Sequence, residues 1–322
     1  MEQIIKKIQE YQTIIIHRHT NPDLDALGSQ IGLREIIKSS FEGKNVYLVG
    51  DENKFSFIGK MDEISDETYK DALVIICDVS VGKIISDKRY FLAKEVIVID
   101  HHNNDCDLSF EDKEFNLPLY NYTKIRRGAC AEIIADLLIK YNLKTTKLGL
   151  TALYGGIVTD TGRFQYGVDL ASSLRTAAYL VENGADYDFI YKRLYVESME
   201  IRQMKIFFQN RIQYTSKNVA YMINDIDVFE KFDVDTFSIS RGMVNLMAGI
   251  DNVPIWANFT YDRENKNVVC EFRSREIPII EIAKKYGGGG HDCACGTSLP
   301  DFSYVDQVLD DFNKLVEENE NV

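Results

Sequence analysis

No apolar run in this chain reaches the ~18 residues that a helix needs to cross a bilayer. The opening stretch, MEQIIKKIQEYQTIIIH, is amphipathic. It has neither the long apolar core nor the small-residue cleavage site of a secretory signal. Repeats are absent, and the only low-complexity stretch is Gly287 to Gly290. Basic residues are in deficit: 37 Lys and Arg stand against 50 Asp and Glu, so the formal charge is 37 − 50 = −13. That balance argues against a binder of long duplex DNA, which needs a basic face. A small phosphorylated substrate, gripped by a few local donors and metals, stays open. Cysteine is sparse, at six in 322 residues. An even count permits disulfides, but these thiols sit mostly in apolar contexts. Free thiols in a reducing cytosol fit better, so a cytoplasmic protein with no membrane partner is expected.

What is present is an ordinary globular composition, 45% hydrophobic and 27% charged. Thr13 to His17, Val46 to Val49, Leu73 to Cys77 and Val96 to Ile99 are short and rich in Ile and Val. They lack polar alternation and are expected as buried strands. Helix-like segments such as Ala26 to Ser39 lie between them. The alternation predicts an α/β fold with a mostly parallel, Rossmann-like sheet and helices on its faces. Functional groups should gather at the carboxyl edge. Ala131 to Tyr141, Lys147 to Val158 and Ala171 to Asn183 are expected as further helices, and Asp188 to Arg211 as one long connecting helix. Beyond it the texture changes. Val219 to Ile223 is strand-like, and Ile255 to Tyr261 with Asn267 to Arg273 suggests a hairpin around DREN. Pro278 to Tyr286 and Tyr304 to Glu318 are expected as helices, in a smaller mixed-sheet α/β domain.

The chemistry-bearing residues fall at the ends of apolar elements. TIIIH opens into RHTNPDLDALGS, with His19, Asp23 and Asp25 in one loop stiffened by Pro22. The next apolar runs end in Asp78 and in Asp100-His101-His102, and a helix-like segment ends in Asp160. A lone acid at a strand end is usually a cap or turn residue; the joint placement of all of these is not explained that way. Carboxylates mixed with imidazoles suit Mn²⁺ or a similar divalent ion. There are enough ligands for two ions, the arrangement that hydrolysis of a phosphate ester uses.

A second constellation is RSREIPIIEIAKKYGGGGHDCACG. Glycines let backbone N–H groups approach an anion, and Arg273 can fork onto a phosphate. The glycine run alone could be a flexible turn. No Lys-Ser/Thr follows it, so it is not a P-loop. His291, Cys293 and Cys295 could hint at zinc, but a fourth ligand is not evident.

Together, HTNPDLDALGS, ICDVS, VIDHHNN and VTDTGRF resemble the four motifs of the DHH phosphoesterases. RSR and GGGGHDCACG resemble the signature of the DHH-associated C-terminal domain. The resemblance runs in order from about Ile14 to Gly296. It implies a DHH catalytic domain over 1–190, a helical linker over 191–216 and a substrate-binding domain over 217–322, as two lobes around a cleft. By motif position, His19, Asp23 and Asp78 would hold one Mn²⁺, and Asp25, Asp78, His101 and Asp160 the other. Asp100 would orient the metal-bound histidine beside it, and His102 would face substrate. Arg163, Arg273, Ser274, Arg275, Gly288, Gly289, Gly290 and His291 would contact the nucleotide. Where relatives often carry a Ser/Thr-rich helix start, this chain has Gly128, Ala129 and Cys130, so phosphate contacts there are not expected. Cys295 replaces a usual alanine, with no consequence expected.

Within the family, the size and motifs most resemble the stand-alone enzymes that degrade nano-RNA and dephosphorylate pAp. The implied reaction is two-metal hydroxide attack on short oligoribonucleotides and on the 3′-phosphate of pAp, in a homodimer. The alternative is a phosphodiesterase for cyclic di-AMP or pApA. A non-catalytic nucleotide sensor is a third reading, disfavoured because every expected ligand is present.

Overall fold

A computed structural model describes residues 1–52, 55–166 and 169–320. The chain divides into two compact units, Met1–Val196 and Glu197–Val322. The first unit starts with α1 (Glu2–Glu10), β1 (Thr13–His17), α2 (Leu24–Ser40) and β2 (Asn45–Leu48). It continues through β3 (Leu73–Cys77), β4 (Glu95–Ile99), β5 (Leu119–Tyr122), α3 (Cys130–Lys140), α4 (Lys147–Asp160), α5 (Leu170–Glu182) and α6 (Tyr187–Tyr195).

The five strands form one parallel sheet in the order β2-β1-β3-β4-β5. The chain reverses its direction of strand addition between β1 and β3, and open α/β sheets hold ligands beyond the strand ends at such a point. Strand residues alternate between two cores. Ile14, Ile16, Ile75, Cys77, Ile97 and Ile99 pack with residues from α1 to α4. Ile15, Val74, Ile76, Val96 and Val98 face Tyr69 and Tyr90, which come from short turns, and Leu108, from the β4–β5 connection. The expectation of helices on both faces therefore holds for one face only. The connections from β2 to β3 and from β3 to β4 contain only short 3₁₀ turns among the described residues, and their aromatic rings cover the second face.

α2 packs against α4 at close range. A Cβ at Gly28 would lie 2.4 Å from the carbonyl oxygen of Ala152, and one at Gly156 would lie 2.9 Å from Asp25 Oδ1. Only glycine allows this approach, which brings Asp25 on α2 beside the last turn of α4, where Asp160 sits.

The expected helix over 188–211 is two helices, α6 and α7 (Met199–Gln209). Val196 is extended, at φ −95° and ψ 123°. Ser198 then starts α7 by accepting a hydrogen bond from Ile201 N at 3.3 Å. A serine that can cap a new helix outcompetes continuation of the old one.

The second unit continues with β6 (Gln213–Tyr214), β7 (Ala220–Asn224), α8 (Asp227–Lys231), α9 (Thr236–Met243), β8 (Ile255–Asp262) and β9 (Asn267–Ser274). It ends with α10 (Ile280–Lys285), β10 (Gly289–His291), β11 (Ala294–Leu299) and α11 (Val305–Glu320). Its mixed sheet has the order β10-β11-β9-β8-β7-β6. Phe259, Phe272 and Phe312 form its buried aromatic centre.

The α2–α4 contact gives a direct test. Gly28→Ala should destabilise the protein by about 1–3 kcal/mol in chemical denaturation, because the added methyl meets backbone. Gly242→Ala, at a helical position in α9 with open space around it, should be neutral or mildly stabilising. Equal effects of the two substitutions would contradict the close-packing account.

Candidate metal centre

Each acidic side chain reaches the site for a local reason. Asp23 caps α2, its Oδ1 accepting from Asp25 N and Ala26 N at 3.0 Å each. Asp25 stands in the first turn of that helix and is fully buried. Asp78 follows the wholly buried β3 in a left-handed conformation, at φ 61°. Such a conformation is uncommon for a residue with a side chain. Asp100 and His101 follow β4, and Asp160 ends α4.

Three trios result: His19, Asp23 and Asp78; Asp25, His101 and Asp160; and Asp78, His101 and His102, which shares members with the first two and whose His102 is also held by Asp100. In the first, His19 Nε2 lies 3.9 Å from Asp23 Oδ1 and 3.7 Å from Asp78 Oδ2. In the second, His101 Nε2 lies 3.8 Å from Asp25 Oδ2 and 3.4 Å from Asp160 Oδ2. Asp78 Oδ1 is 3.5 Å from the same nitrogen, so the two oxygens of Asp78 face different trios. The other ring nitrogens are engaged by carbonyls. His19 Nδ1 lies 2.7 Å from Thr20 O, and His101 Nδ1 lies 3.3 Å from Arg127 O. Those contacts assign the N–H to Nδ1 and turn the Nε2 lone pair toward the carboxylates.

Lone pairs facing carboxylates are repulsive without a cation between them. His101 Nε2 and Asp78 Oδ1 are buried and have no hydrogen-bond partner among the described residues. Separations of 3.4–3.9 Å exceed a good hydrogen bond. They are close to the separation of two ligands sharing an ion at about 2.1 Å from each. The donor set therefore fits divalent metal.

The protonation energetics agree. Burial, then the charge of Asp160, pushes the Asp25 carboxyl up to about 7. Burial, then Asp23, pushes Asp160 up to about 6. Asp78 is raised well above the usual carboxylate range by burial and by Asp25. Burial would lower His19, but its contacts with Asp23 and Asp78 outweigh it and push it up to about 10. Without metal, the cluster recruits protons to offset its negative charge.

The expected role of Asp100 needs correction. Its Oδ1 accepts from His102 N at 3.2 Å and contacts His102 Nδ1 at 2.7 Å. It thus grips His102, while the Arg127 carbonyl orients His101. An aspartate readily accepts the N–H two residues on, and this draws His102 rather than His101 to it. The Asp100 contact raises the imidazole of His102 against the effect of burial.

The segment lacking hydroxyls has a definite use. Cys130 N and Ala131 N donate to Asp25 Oδ2 and Oδ1 at 2.7 and 2.8 Å. α3 has no side-chain cap of its own, so Asp25 satisfies its free N–H groups across the fold. These backbone donors, and the carbonyls of Thr20 and Arg127, escaped sequence reasoning because backbone groups leave no residue signature. The small residues Gly128 to Cys130 are the one available hint.

Arg163 is also left-handed, at φ 61°, with its guanidinium 5.0 Å from the ring centre of Tyr195. The other expected substrate contacts lie in the second unit. Arg273 Nη2 pairs with Glu271 at 2.9 Å, and Ser274 Oγ donates to Ile277 O at 2.5 Å. Arg275 Nη2 donates to Ile250 O at 2.6 Å. Gly289 and Gly290 are not a loose turn; they belong to β10, paired with β11. Gly288 packs so tightly that a Cβ would lie 2.1 Å from Gly296 O. The side chain of His291 lies outside the described residues. The cysteines His291 was weighed with, Cys293 and Cys295, are free thiols, and neither belongs to a possible metal group among the described residues.

The N-terminal domain of the DHH family matches residues 13–157, and the DHHA1 domain matches residues 219–319. The chain belongs to the DHH family, and it is a hydrolase of phosphate esters. The bifunctional oligoribonuclease and PAP phosphatase NrnA of Bacillus subtilis is 32% identical over 325 residues, covering 99% of each chain. A probable counterpart from Streptococcus mutans is 31% identical, covering 97% of this chain and 98% of that one. The crystal structure of an exopolyphosphatase-related protein from Bacteroides fragilis has a TM-score of 0.79 at 23% identity, covering 98% and 95% of the chains. That likeness speaks for the fold.

A stability measurement tests the proton account. His19 and Asp25 bind protons more tightly folded than unfolded, so they stabilise at low pH and lose that contribution as pH rises. The window for His19 runs from 6.5 to about 10, and that for Asp25 ends near 7. The melting temperature of metal-stripped protein should therefore fall by about 3 °C or more from pH 6.5 to 9. Mn²⁺ should raise it, and more at pH 8.5 than at 6.5. A metal-free melting temperature that is flat or rises over this range would contradict the cluster electrostatics.

Proposed function

We propose that the chain is a metal-dependent phosphoesterase that degrades short oligoribonucleotides to mononucleotides and removes the 3′-phosphate of pAp. The carrying observation is Asp78, whose two oxygens face different His-carboxylate trios. That supports two ions rather than one. His19, Asp23 and Asp78 would hold one; Asp25, Asp78, His101 and Asp160 would hold the other. Imidazole with carboxylate oxygen favours Mn²⁺ among the common divalent ions. When bound, such a pair neutralises phosphoryl charge and makes water a better nucleophile at neutral pH.

The remaining work belongs to side chains. Asp100 fixes the His102 ring through Nδ1 and favours its protonated form. With its side chain 49% exposed, His102 is free to hand the proton on Nε2 to the departing ester oxygen. Arg163 is the proposed substrate contact in the first unit. The DHHA1 match supports Arg273, Ser274, Arg275, Gly288, Gly289, Gly290 and His291 as nucleotide contacts in the second. The relatives at 31–32% identity over nearly the whole chain favour short RNA and pAp as substrates. Six free cysteines support a cytosolic setting, and no described helix is long and apolar enough to cross a membrane. A homodimer completes the reading.

Mn²⁺-dependent turnover of di- to pentaribonucleotides, pAp, cyclic di-AMP and pApA, measured side by side, tests it. Fast loss of the short RNAs and pAp is expected, with slow cleavage of the other two. Asp78→Ala should lose at least about 100-fold in kcat. Preference for cyclic di-AMP or pApA would replace the substrate assignment, and near wild-type activity of Asp78→Ala would sink the two-ion account.

A further inference from the structure

The geometry points to Glu132 as a positioning residue that sets one of the two metal sites more strongly than the other. The inference rests on the two-ion reading above. Glu132 lies in the first turn of α3 and is wholly buried. A buried carboxylate is costly unless donors surround it. Here Ser172 Oγ donates to Oε1 at 2.6 Å, Ser173 Oγ to Oε2 at 2.7 Å, and Gly128 N to Oε2 at 3.1 Å. Arg127 Nε stands 3.5 Å from Oε1 while it bonds Asp136 at 2.8 Å. None of these groups is a metal ligand.

What Glu132 fixes is the turn before α3. That turn meets His101 and Asp25 through its backbone: Arg127 O meets His101 Nδ1, and the N–H groups of Cys130 and Ala131 hold both oxygens of Asp25. Gly128 is wedged where a Cβ would lie 2.6 Å from Ser173 Oγ and 2.9 Å from the methyl of Thr161, the residue after Asp160. Asp25, His101 and Asp160 thus all adjoin the body that Glu132 ties together, and they make up one trio. The trio of His19, Asp23 and Asp78 has supports of its own, and it meets the other at Asp78 and at Asp25 N, which donates to Asp23 Oδ1 at 3.0 Å. His19 is oriented by Thr20 O, and Asp23 by the first turn of α2. A loosened turn should therefore damage the two sites unequally, whereas a merely structural defect would damage both alike.

The test is calorimetric titration of Mn²⁺ into the metal-stripped full-length protein. Wild type should show two binding events. Glu132→Ala should weaken one by about 10–100-fold, the usual cost of losing support behind a metal ligand, and weaken the other distinctly less, the shared Asp78 passing on only part of the effect. Glu132→Gln keeps an acceptor for Gly128 N–H, and the serine hydroxyls can rotate to accept from its amide. It should recover most of the affinity. In an Asp160→Asn background Glu132→Ala should add little; in an Asp23→Asn background its effect should persist. In turnover, kcat should fall more than KM rises. Should Glu132→Ala fail to fold, the Ser172→Ala/Ser173→Ala double variant carries the same expectation. Equal weakening of both sites, or none, with wild type binding two ions, would overturn the role of Glu132. Wild type binding fewer than two ions would instead overturn the two-ion reading beneath it.

Discussion

The first unit depends on one carboxylate held between two imidazoles. Asp78 stands at the end of β3, the middle strand of the parallel sheet, with one oxygen toward His19 and the other toward His101. Parallel pairing puts the ends of β1, β3 and β4 on the same edge, so the loops carrying His19, Asp78 and His101 converge without further guidance. The left-handed backbone at Asp78 is the local strain needed to turn its side chain toward both histidines. β3 is buried along its whole length, and that burial supplies the rigidity to hold the strain.

Gathering four aspartates costs electrostatic energy, and the fold offsets part of it with backbone dipoles. α2 presents N–H groups to Asp23, and α3 presents two to Asp25. Each acid doubles as the helix cap that the sequence otherwise lacks or needs. One group thereby serves secondary structure and chemistry together, and neither can be altered alone. The glycine faces of α2 and α4 belong to the same economy, because they let Asp25 and Asp160 meet without a layer of side chains between them.

Much of this was legible in the sequence. Leu73–Cys77 is a strand from end to end, because an unbroken apolar run has only one way to hide both faces. The acids at the ends of such runs were legible for the same reason, and the structure brings them together. β5, α9 and the break after Val196 were not. β5 reads LYNY and is half exposed, so its pairing is imposed by β4 and not by its own pattern. The break turns on a single serine cap against a periodic background. Asp100 was matched with the wrong histidine because the two neighbours differ only in which way a turn sends them. The backbone groups that orient His101 and hold Asp25 could not be read at all, since every residue carries the same ones.

The contact between α3 and Asp25 joins residues 105 positions apart. The candidate ligands run from His19 to Asp160, across roughly the first half of the chain. During synthesis, the early motif must wait, uncapped on one side and short of partners, until α3 and α4 have left the ribosome. The trio of Asp25, His101 and Asp160 is then completed late, with the last turn of α4. A chain interrupted before α4 would carry most of the signature residues and lack Asp160, so the trio it forms with Asp25 and His101 would stay incomplete.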